Sequence, residues 1–285
     1  MQELLSYISE RTGEKIVSRQ AVSGGSISSA YLLETKERRY FLKINPEPFA
    51  LNMFRTEKAG LETIEKTKTI SVPHVHLTEE FRGDAYLLMD FIESKTPSIT
   101  DFGKLGCRLA EMHQIKTDTF GFEMDNYIGK LPQSNKKQTN WSEFYWEERI
   151  RPQLKMAYDK QLLNKREIPS EERAVSVFEE LLGNPTPSLI HGDLWAGNYL
   201  ISTSGEPYLI DPAVYFGDPM VDIAMSSLFG GFNQEFYNSY HDILPKSQNY
   251  ESQIDLYQLY FLLVHLNLFG SAYYSDTTHI LRKHF

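Results

Sequence analysis

The chain has 285 residues, enough to bury a substantial core either as one large domain or as two lobes packed around a cleft. Hydrophobic residues make up 41% and charged residues 24%, as in ordinary folded proteins, which argues against a disordered or fibrous chain. The formal net charge of −9 argues against a nucleic-acid partner, because binding to a polyanion normally needs a concentrated basic face.

Neither end of the sequence nor its interior predicts a membrane segment. Met1–Glu10 has no basic region followed by an apolar core, so we expect no signal peptide. The longest apolar stretch, around Phe261–Val264, is interrupted by His265 and Asn267 and falls short of the about 18 residues that a membrane span needs. We therefore expect a cytoplasmic protein with no membrane partner.

The first third of the chain is predicted to form a small antiparallel sheet with a helix lying across it. Apolar residues that alternate between glycine-rich or charged turns predict strands, and apolar residues at helical spacing predict helices. The predicted strands are 16–21, 30–35, 39–44, 72–77 and 84–91, and the predicted helices are 2–11 and 49–66.

The pattern changes near residue 92 to long helical stretches. These are predicted at 101–115, 141–162, 171–183, 219–230 and 251–272, with a strand-rich segment at 188–211 among them. Segment 118–140 has no clear periodicity and predicts a loop. The fold class is therefore α+β, with a sheet lobe at 1–91 and a mainly helical lobe at 92–285.

The segment that carries the most chemical information reads SLIHGDLWAGN at 188–198 and continues to YLIDP at 208–212. Phosphoryl transfer from ATP needs a group that orients or deprotonates the attacking hydroxyl, and oxygen ligands that hold magnesium on the phosphates. Asp193, Asn198 and Asp211 supply these groups in order, and the first two keep the five-residue interval of the kinase catalytic loop. A turn with a capping aspartate would explain His-Gly-Asp alone, but the spaced Asn and the later Asp favour catalysis.

A kinase of this kind also needs a glycine-rich turn, a strand lysine and a helix glutamate in that order. Gly24, Gly25 and Ser26 lie between two predicted strands, where backbone N–H groups can approach phosphates, although an ordinary hairpin turn fits them equally well. Lys43 on a strand and Glu57 on the next helix recreate the pair that positions the α and β phosphates. The sequence thus predicts ATP and Mg²⁺ as cofactors, with residues 1–91 as the nucleotide-binding lobe and 92–285 as the catalytic and substrate-binding lobe.

Competing catalytic patterns are missing from the sequence. It contains no G-x-x-x-x-G-K-[ST], G-x-G-x-x-G or G-x-S-x-G, and His74 and His76 lack the further ligands of a zinc site. Gly192 stands where protein kinases have an arginine, and Pro212 and Ala213 replace the Phe-Gly that follows their metal-binding aspartate. These departures favour a small-molecule kinase over a protein kinase.

The sequence resembles the fructosamine (ketosamine) kinases over nearly its full length. The family segments H-G-D-L-W-x-G-N, D-P-A-x-Y-x-G and L-F-G-G-F are matched at 191–198, 211–217 and 228–232. Aminoglycoside and choline kinases share H-G-D and the following asparagine, but not Trp195 or the L-F-G-G-F run.

This resemblance implies a protein-kinase-like two-lobed fold and ATP-dependent phosphorylation of the sugar 3-hydroxyl of a ketosamine, a fructosamine or ribulosamine, in protein deglycation or repair. It implies that Asp193 acts on that hydroxyl and that Met89, Asp90 and Phe91 belong to the hinge that receives adenine. We expect Trp195 to contact the sugar or amine, with a core tryptophan that braces the loop as the alternative.

Other interpretations stay open at this point. The chain could phosphorylate an aminoglycoside, choline or a sugar alcohol, or be a catalytically silent nucleotide-binding or regulatory protein. The sequence leaves open the sugar and amine, a free or protein-bound target, and the oligomeric state. Asp218 and Asp222 could face the substrate amine, but we favour a helix-capping role for Asp218 and a bond from Asp222 to the catalytic loop. Trp141 and Trp146 are predicted to pack in the core.

Overall fold

The computed structural model describes residues 1–22 and 28–285, which divide into two compact units. The first unit comprises Met1–Pro97 with Leu200–Asp211, and the second comprises Ser98–Tyr199 with Pro212–Phe285. A short stretch after the H-G-D segment therefore belongs to the N-terminal unit. The assignment of nucleotide binding and catalysis to separate lobes stays a prediction.

The first unit is built on a five-stranded antiparallel sheet with strand order β1-β2-β3-β5-β4. Its strands are β1 (Ser18–Ala21), β2 (Ser29–Glu34), β3 (Arg39–Asn45), β4 (Val75–Phe81) and β5 (Asp84–Asp90), and its helices are α1 (Gln2–Thr12) and α2 (Ala50–Thr67). Leu33, Leu42 and Leu88 on the sheet are completely buried in one cluster with Ile8 of α1. On β3 this cluster contains Tyr40, Leu42 and Ile44, so every second side chain of the strand enters the core.

A short hairpin completes the first unit and determines where Asp211 lies. It consists of β9 (Tyr199–Ile201) and β10 (Pro207–Leu209). The N–H of Lys95 donates to the Ile201 carbonyl and the N–H of Leu209 donates to the Ser71 carbonyl, each at 2.9 Å. These backbone bonds attach the hairpin to the N-terminal residues of the unit, so Asp211 follows directly from an anchored strand.

The second unit is mainly helical and carries two small antiparallel strand pairs. Its helices are α3 (Ile99–Met112), α4 (Trp141–Tyr145), α5 (Arg151–Asp159), α6 (Glu171–Leu181), α7 (Met220–Leu228), α8 (Gln234–Ile243), α9 (Tyr250–Phe269) and α10 (Tyr274–His284). Its paired strands are β6 (Asn126–Ile128) with β7 (Leu131–Gln133), and β8 (Ser188–Ile190) with β11 (Tyr215–Gly217). Trp141 and Trp146 are buried, which confirms their predicted place in the core. In the described part of the chain, no helix is both long and apolar enough to cross a bilayer.

The helix predicted at 141–162 is interrupted by a π-helical turn at Trp146–Ile150, between α4 and α5. Arg149 in this turn is completely buried, and its guanidinium lies 4.0 Å from the centre of the Tyr215 ring. It donates to the Ser134 carbonyl at 2.5 Å and to the Asn135 side-chain oxygen at 2.6 Å. The extra residue of a π turn changes which side chains face the core, and here it places a cation among aromatic rings.

Three parts of the second unit differ from the prediction. The segment predicted as a loop, 118–140, contains the β6–β7 hairpin, in which Gln133 Nε2 donates to Asn126 Oδ1 at 2.7 Å and Asn126 Nδ2 donates to the Val214 carbonyl at 2.9 Å. Helices α8 and α10 were not predicted at all. Buried polar side chains hold the hairpin, so it has no clear hydrophobic period. Helix α8, in contrast, buries Phe236 and Tyr240 four residues apart, so its helical spacing is present in the sequence.

Replacing Arg149 by alanine should lower the free energy of unfolding by about 3 kcal/mol, because the Ser134 carbonyl and the buried side chain of Asn135 lose their donor and a cavity opens. Urea denaturation followed by tryptophan fluorescence measures this change. Arg166→Ala is the control, since Arg166 is exposed and should change stability by less than about 0.5 kcal/mol. Equal stability of both variants would show that Arg149 is not a structural cation.

Candidate functional site

The H-G-D segment begins where β8 ends, and Gly192 is the residue that allows the chain to turn there. Its φ is +82°, and a Cβ at this position would lie 2.2 Å from the Ala213 carbonyl oxygen. The N–H of Ala213 in turn donates to the His191 carbonyl at 2.9 Å. Only glycine meets both the left-handed backbone and the close approach, so the loop conformation depends on it.

Asp222 at the start of α7 anchors this loop by accepting hydrogen bonds from its backbone. Its carboxylate is completely buried and accepts the N–H of His191 at 2.7 Å and the N–H of Gly192 at 2.8 Å. The predicted bond from Asp222 to the catalytic loop is confirmed. Asp218 lies one residue before the N-cap Pro219 of α7 and accepts the N–H of Met220 at 2.9 Å and the Tyr257 hydroxyl at 2.5 Å.

A third donor to Asp222 was missed by the sequence analysis. His113, one residue beyond α3, places Nε2 at 3.0 Å from Asp222 Oδ2 and Nδ1 at 2.8 Å from the Tyr240 hydroxyl. Because the carboxylate accepts, Nε2 carries the proton in this contact. Only the pairing of distant elements brings His113 and Asp222 together, so no local motif could have revealed it.

Asp193 and Asn198 lie at the two ends of one tight turn. The Asn198 side-chain nitrogen donates to the Asp193 carbonyl at 2.8 Å and to Asp193 Oδ2 at 3.2 Å. The N–H of Asp193 donates to the His191 ring at 3.2 Å. The predicted acid and amide are thus adjacent, and the amide restrains the orientation of the carboxylate.

Trp195 lies on the outside of the same turn. Its side chain is 41% exposed, and its six-membered ring covers Gly197, where a Cβ would lie 2.3 Å from the ring. This exposure excludes the alternative of a core tryptophan. An open aromatic face next to Asp193 is suited to packing against a sugar or a cation.

In the first unit, Lys43, Glu57 and Asp211 form one charged cluster. Lys43 Nζ donates to Glu57 Oε1 at 2.8 Å and also contacts Asp211 Oδ1. The Lys43 and Glu57 side chains are nearly buried, whereas the Asp211 side chain keeps 34% of its surface exposed. Asp211 has a φ of +53°, a left-handed conformation that is uncommon outside glycine and occurs at functional sites.

The charges in this cluster depend on one another. Burial lowers the pKa of Lys43, but the carboxylates of Asp211 and Glu57 outweigh it, so the pKa lies above its ordinary value. Burial raises the pKa of Glu57, against the attraction of Lys43. Lys43 is therefore a permanent cation at neutral pH, held next to an acidic side chain that is still accessible.

The predicted hinge residues lie at the end of β5. Met89 is buried, the N–H of Asp90 donates to the His74 carbonyl at 2.9 Å, and the N–H of Phe91 donates to the Arg39 carbonyl at 3.2 Å. These two backbone donors are therefore already used within the unit. The next N–H along the chain, that of Ile92, forms no hydrogen bond among the described residues.

The structure thus groups the predicted residues into two sets. Lys43, Glu57 and Asp211 lie together in the first unit, and Asp193, Trp195 and Asn198 lie together in the second. The predicted phosphate-binding residues Gly24, Gly25 and Ser26 lie outside the described residues. Within residues 1–22 and 28–285, no three His, Cys, Asp or Glu side chains gather as a metal site.

The fold and this loop define the class of protein. A thermostable variant of an aminoglycoside phosphotransferase, solved in complex with ADP and hygromycin B, superimposes with a TM-score of 0.66 at 17% identity over 98% of each chain. At that identity the similarity shows the fold alone, and it confirms the predicted protein-kinase-like fold. A solved putative fructosamine-3-kinase from Thermobifida fusca superimposes with a TM-score of 0.89 at 30% identity, over 99% of this chain and 98% of that one.

The sequence comparisons identify the family. The model of the family described as fructosamine kinase matches residues 1–285, so the chain belongs to the fructosamine kinase family, as predicted. A probable ketoamine kinase from Synechocystis is 38% identical over 99% of this chain and 96% of its own length. A chloroplastic protein-ribulosamine 3-kinase from Arabidopsis thaliana is also 38% identical, over 96% of this chain and 84% of its own length.

Asp222→Asn should loosen the catalytic loop, because the amide offers a donor where two backbone N–H groups need an acceptor. Hydrogen exchange at the amides of His191 and Gly192 should become at least about tenfold faster, corresponding to the loss of about 1.4 kcal/mol. Asp242→Asn on α8 is the control, since that side chain is exposed. Unchanged exchange at both amides would refute the bracing role of Asp222.

Proposed function

We propose that the protein transfers the γ-phosphoryl group of ATP to the 3-hydroxyl of a ketosamine, a fructosamine or ribulosamine, in deglycation of small molecules or proteins. The observation that carries this proposal is the catalytic loop, in which Asp193 lies beside Asn198 and the exposed Trp195. Family membership supports the substrate class, and one relative is named for ribulosamine attached to protein.

Asp193 is the group that orients or deprotonates the attacking hydroxyl. Its carboxylate is restrained by Asn198, and its backbone is fixed through Gly192 to the buried Asp222. Such restraint matters because a general base contributes only when it lies within hydrogen-bond reach of the proton that it accepts. The exposed ring of Trp195, two residues later, would pack against the sugar or its amine.

Lys43 would bind the phosphates of ATP, with Glu57 holding its side chain in place. The pair is present at 2.8 Å and Lys43 keeps its charge at neutral pH. Gly24, Gly25 and Ser26 would cover the phosphates with backbone N–H groups. At the hinge formed by Met89, Asp90 and Phe91, the N–H of Ile92 is the donor that remains for adenine, because the preceding two are bonded within the sheet unit.

Asp211 and Asn198 fit the requirements of magnesium ligands. Mg²⁺ binds one or two protein oxygens and completes its shell with water and substrate phosphates, so no cage of three acidic side chains is needed. The exposed part of the Asp211 carboxylate is accessible for this purpose, and Asn198 uses its amide nitrogen towards Asp193, which leaves its oxygen for a cation. The ion would neutralise the charge that develops on the transferred phosphate.

The partner is thus a free or protein-bound ketosamine, and a cytoplasmic location stays a prediction. We expect the wild-type protein to phosphorylate a fructosyl or ribulosyl amine with a specificity constant at least about a hundredfold above those for kanamycin, choline and the unglycated amine. A coupled assay for ADP measures this, and phosphorus-coupled NMR of the product should show the phosphate on the sugar 3-hydroxyl.

Asp193→Asn should lower turnover at least about a hundredfold while ATP binding is retained, because a general base contributes that much.

Turnover of kanamycin or choline without turnover of any ketosamine would refute the proposed ketosamine substrate. The assignment of the protein as a small-molecule kinase would still stand. Equal turnover by wild type and Asp193→Asn would instead refute the assignment of Asp193. Calorimetry of ATP binding to the variant serves as the folding control.

Asp211→Asn should weaken ATP binding in the presence of Mg²⁺ by at least about tenfold, because a charged oxygen ligand is lost. Isothermal titration with Mg²⁺ and, separately, with EDTA distinguishes this loss from a direct effect on the nucleotide. The affinity in EDTA should change much less than the affinity in Mg²⁺. An unchanged Mg²⁺-dependent affinity would remove Asp211 from the metal site.

A further inference from the structure

The second unit exposes a group of aromatic side chains that the proposed mechanism does not use. Phe229 after α7, His265 and Phe269 on α9, and Tyr273 form this aromatic cluster. The His265 ring centre lies 4.7 Å from that of Phe229, 5.5 Å from that of Phe269 and 5.0 Å from that of Tyr273. Phe229 is 44% and Phe269 61% exposed, so two apolar rings are presented to solvent around a histidine.

The aromatic cluster is connected to the catalytic loop within the same unit. Gly231, two residues after Phe229, has a φ of +93°, and a Cβ there would lie 2.3 Å from the Cβ of Ala196. The Tyr199 hydroxyl donates to the Gly231 carbonyl at 2.9 Å, and the Tyr199 ring packs at 4.9 Å against Phe232. The L-F-G-G-F run thus packs directly on the loop that carries Asp193. Phe229, the first phenylalanine of this run, is the first residue of the aromatic cluster.

His265 has the hydrogen-bonding character of a neutral acceptor. Its Nδ1 lies 2.8 Å from the Phe261 carbonyl, which can only accept, so Nδ1 carries the proton. Burial lowers the pKa of His265, which keeps the ring neutral at neutral pH. In a neutral ring the proton on Nδ1 leaves a lone pair on Nε2, and Nε2 has no hydrogen-bond partner among the described residues.

We propose that the aromatic cluster binds the protonated secondary amine of the ketosamine. The faces of Phe229, Phe269 and Tyr273 attract a cation electrostatically, and His265 Nε2 accepts one of its N–H groups. None of the four side chains carries a positive charge that would oppose it. This inference rests on the proposed function and adds the residues that recognise the amine rather than the sugar.

The proposal is tested with a pair of substrates that differ only in the group attached to C1 of the sugar. One is an N-alkyl fructosamine, which is cationic, and the other is the 1-O-alkyl ether of fructose, in which a neutral oxygen replaces the amine. Wild type should prefer the amine by at least about tenfold in kcat/KM, through KM. Phe229→Leu and His265→Phe should each reduce this preference at least about fivefold and leave the KM for ATP unchanged.

Two variants serve as controls. Phe229→Tyr keeps an aromatic face and should retain the preference, whereas Tyr158→Leu removes an exposed ring on α5 outside the cluster and should also retain it. Thermal denaturation verifies the fold of each variant. If His265→Phe does not fold, the variants of Phe229 still test whether the aromatic cluster binds the amine, because a change at this exposed position should not prevent folding.

An unchanged amine preference in Phe229→Leu, with ketosamine turnover intact, would overturn the inference and leave the proposed function standing. A change of sedimentation coefficient in Phe229→Leu without any kinetic effect would assign the exposed rings to contact with a second copy of the chain, and would overturn it as well. Absence of ketosamine turnover in the wild type would overturn both the proposed function and the inference.

Discussion

The buried carboxylate of Asp222 is the interaction on which the catalytic loop depends. A charge without solvent is costly unless hydrogen bonds replace its hydration, and here His191, Gly192 and His113 supply donors. Two of these donors are backbone groups of the H-G-D segment itself. The position of the Asp193 backbone is therefore defined by the main chain that precedes it, and Asn198 then restrains the carboxylate.

In the first unit the buried charge is a cation, and acidic side chains rather than backbone groups stabilise it. Lys43 is buried on a strand, and its charge is stabilised by Glu57 from α2 and by Asp211 at the end of an anchored hairpin. Replacing Glu57 or Asp211 by a neutral residue would remove one of the two negative charges that stabilise the buried Lys43 cation. The β9–β10 hairpin lies between Asn198 and Asp211 in the sequence, so it joins the two sets of predicted site residues covalently.

The parts that were predicted correctly from sequence are those fixed by local spacing. The interval from Asp193 to Asn198 and the strand and helix positions of Lys43 and Glu57 follow from chemistry that requires them in that order. His113 and the partners of Arg149 could not be predicted, because they depend on contacts between elements distant in sequence. The π turn was missed for a related reason, since a hydrophobic period does not distinguish it from the α-helices on either side. The helical spacing of Phe236 and Tyr240 on α8, by contrast, is present in the sequence.

In the proposed function the substrate carries a cationic amine and also accepts a phosphoryl group, and an aromatic cluster would recognise the amine without a negative charge of its own. A carboxylate at Phe229 or His265 would attract the amine more strongly, but its negative charge would also disfavour the negatively charged phosphoryl group that the same substrate accepts. Ring faces and a neutral imidazole attract the amine without a net charge, so their effect falls off quickly with distance. Under this proposal, selectivity for the amine is thus obtained without a further negative charge on the unit that carries Asp193.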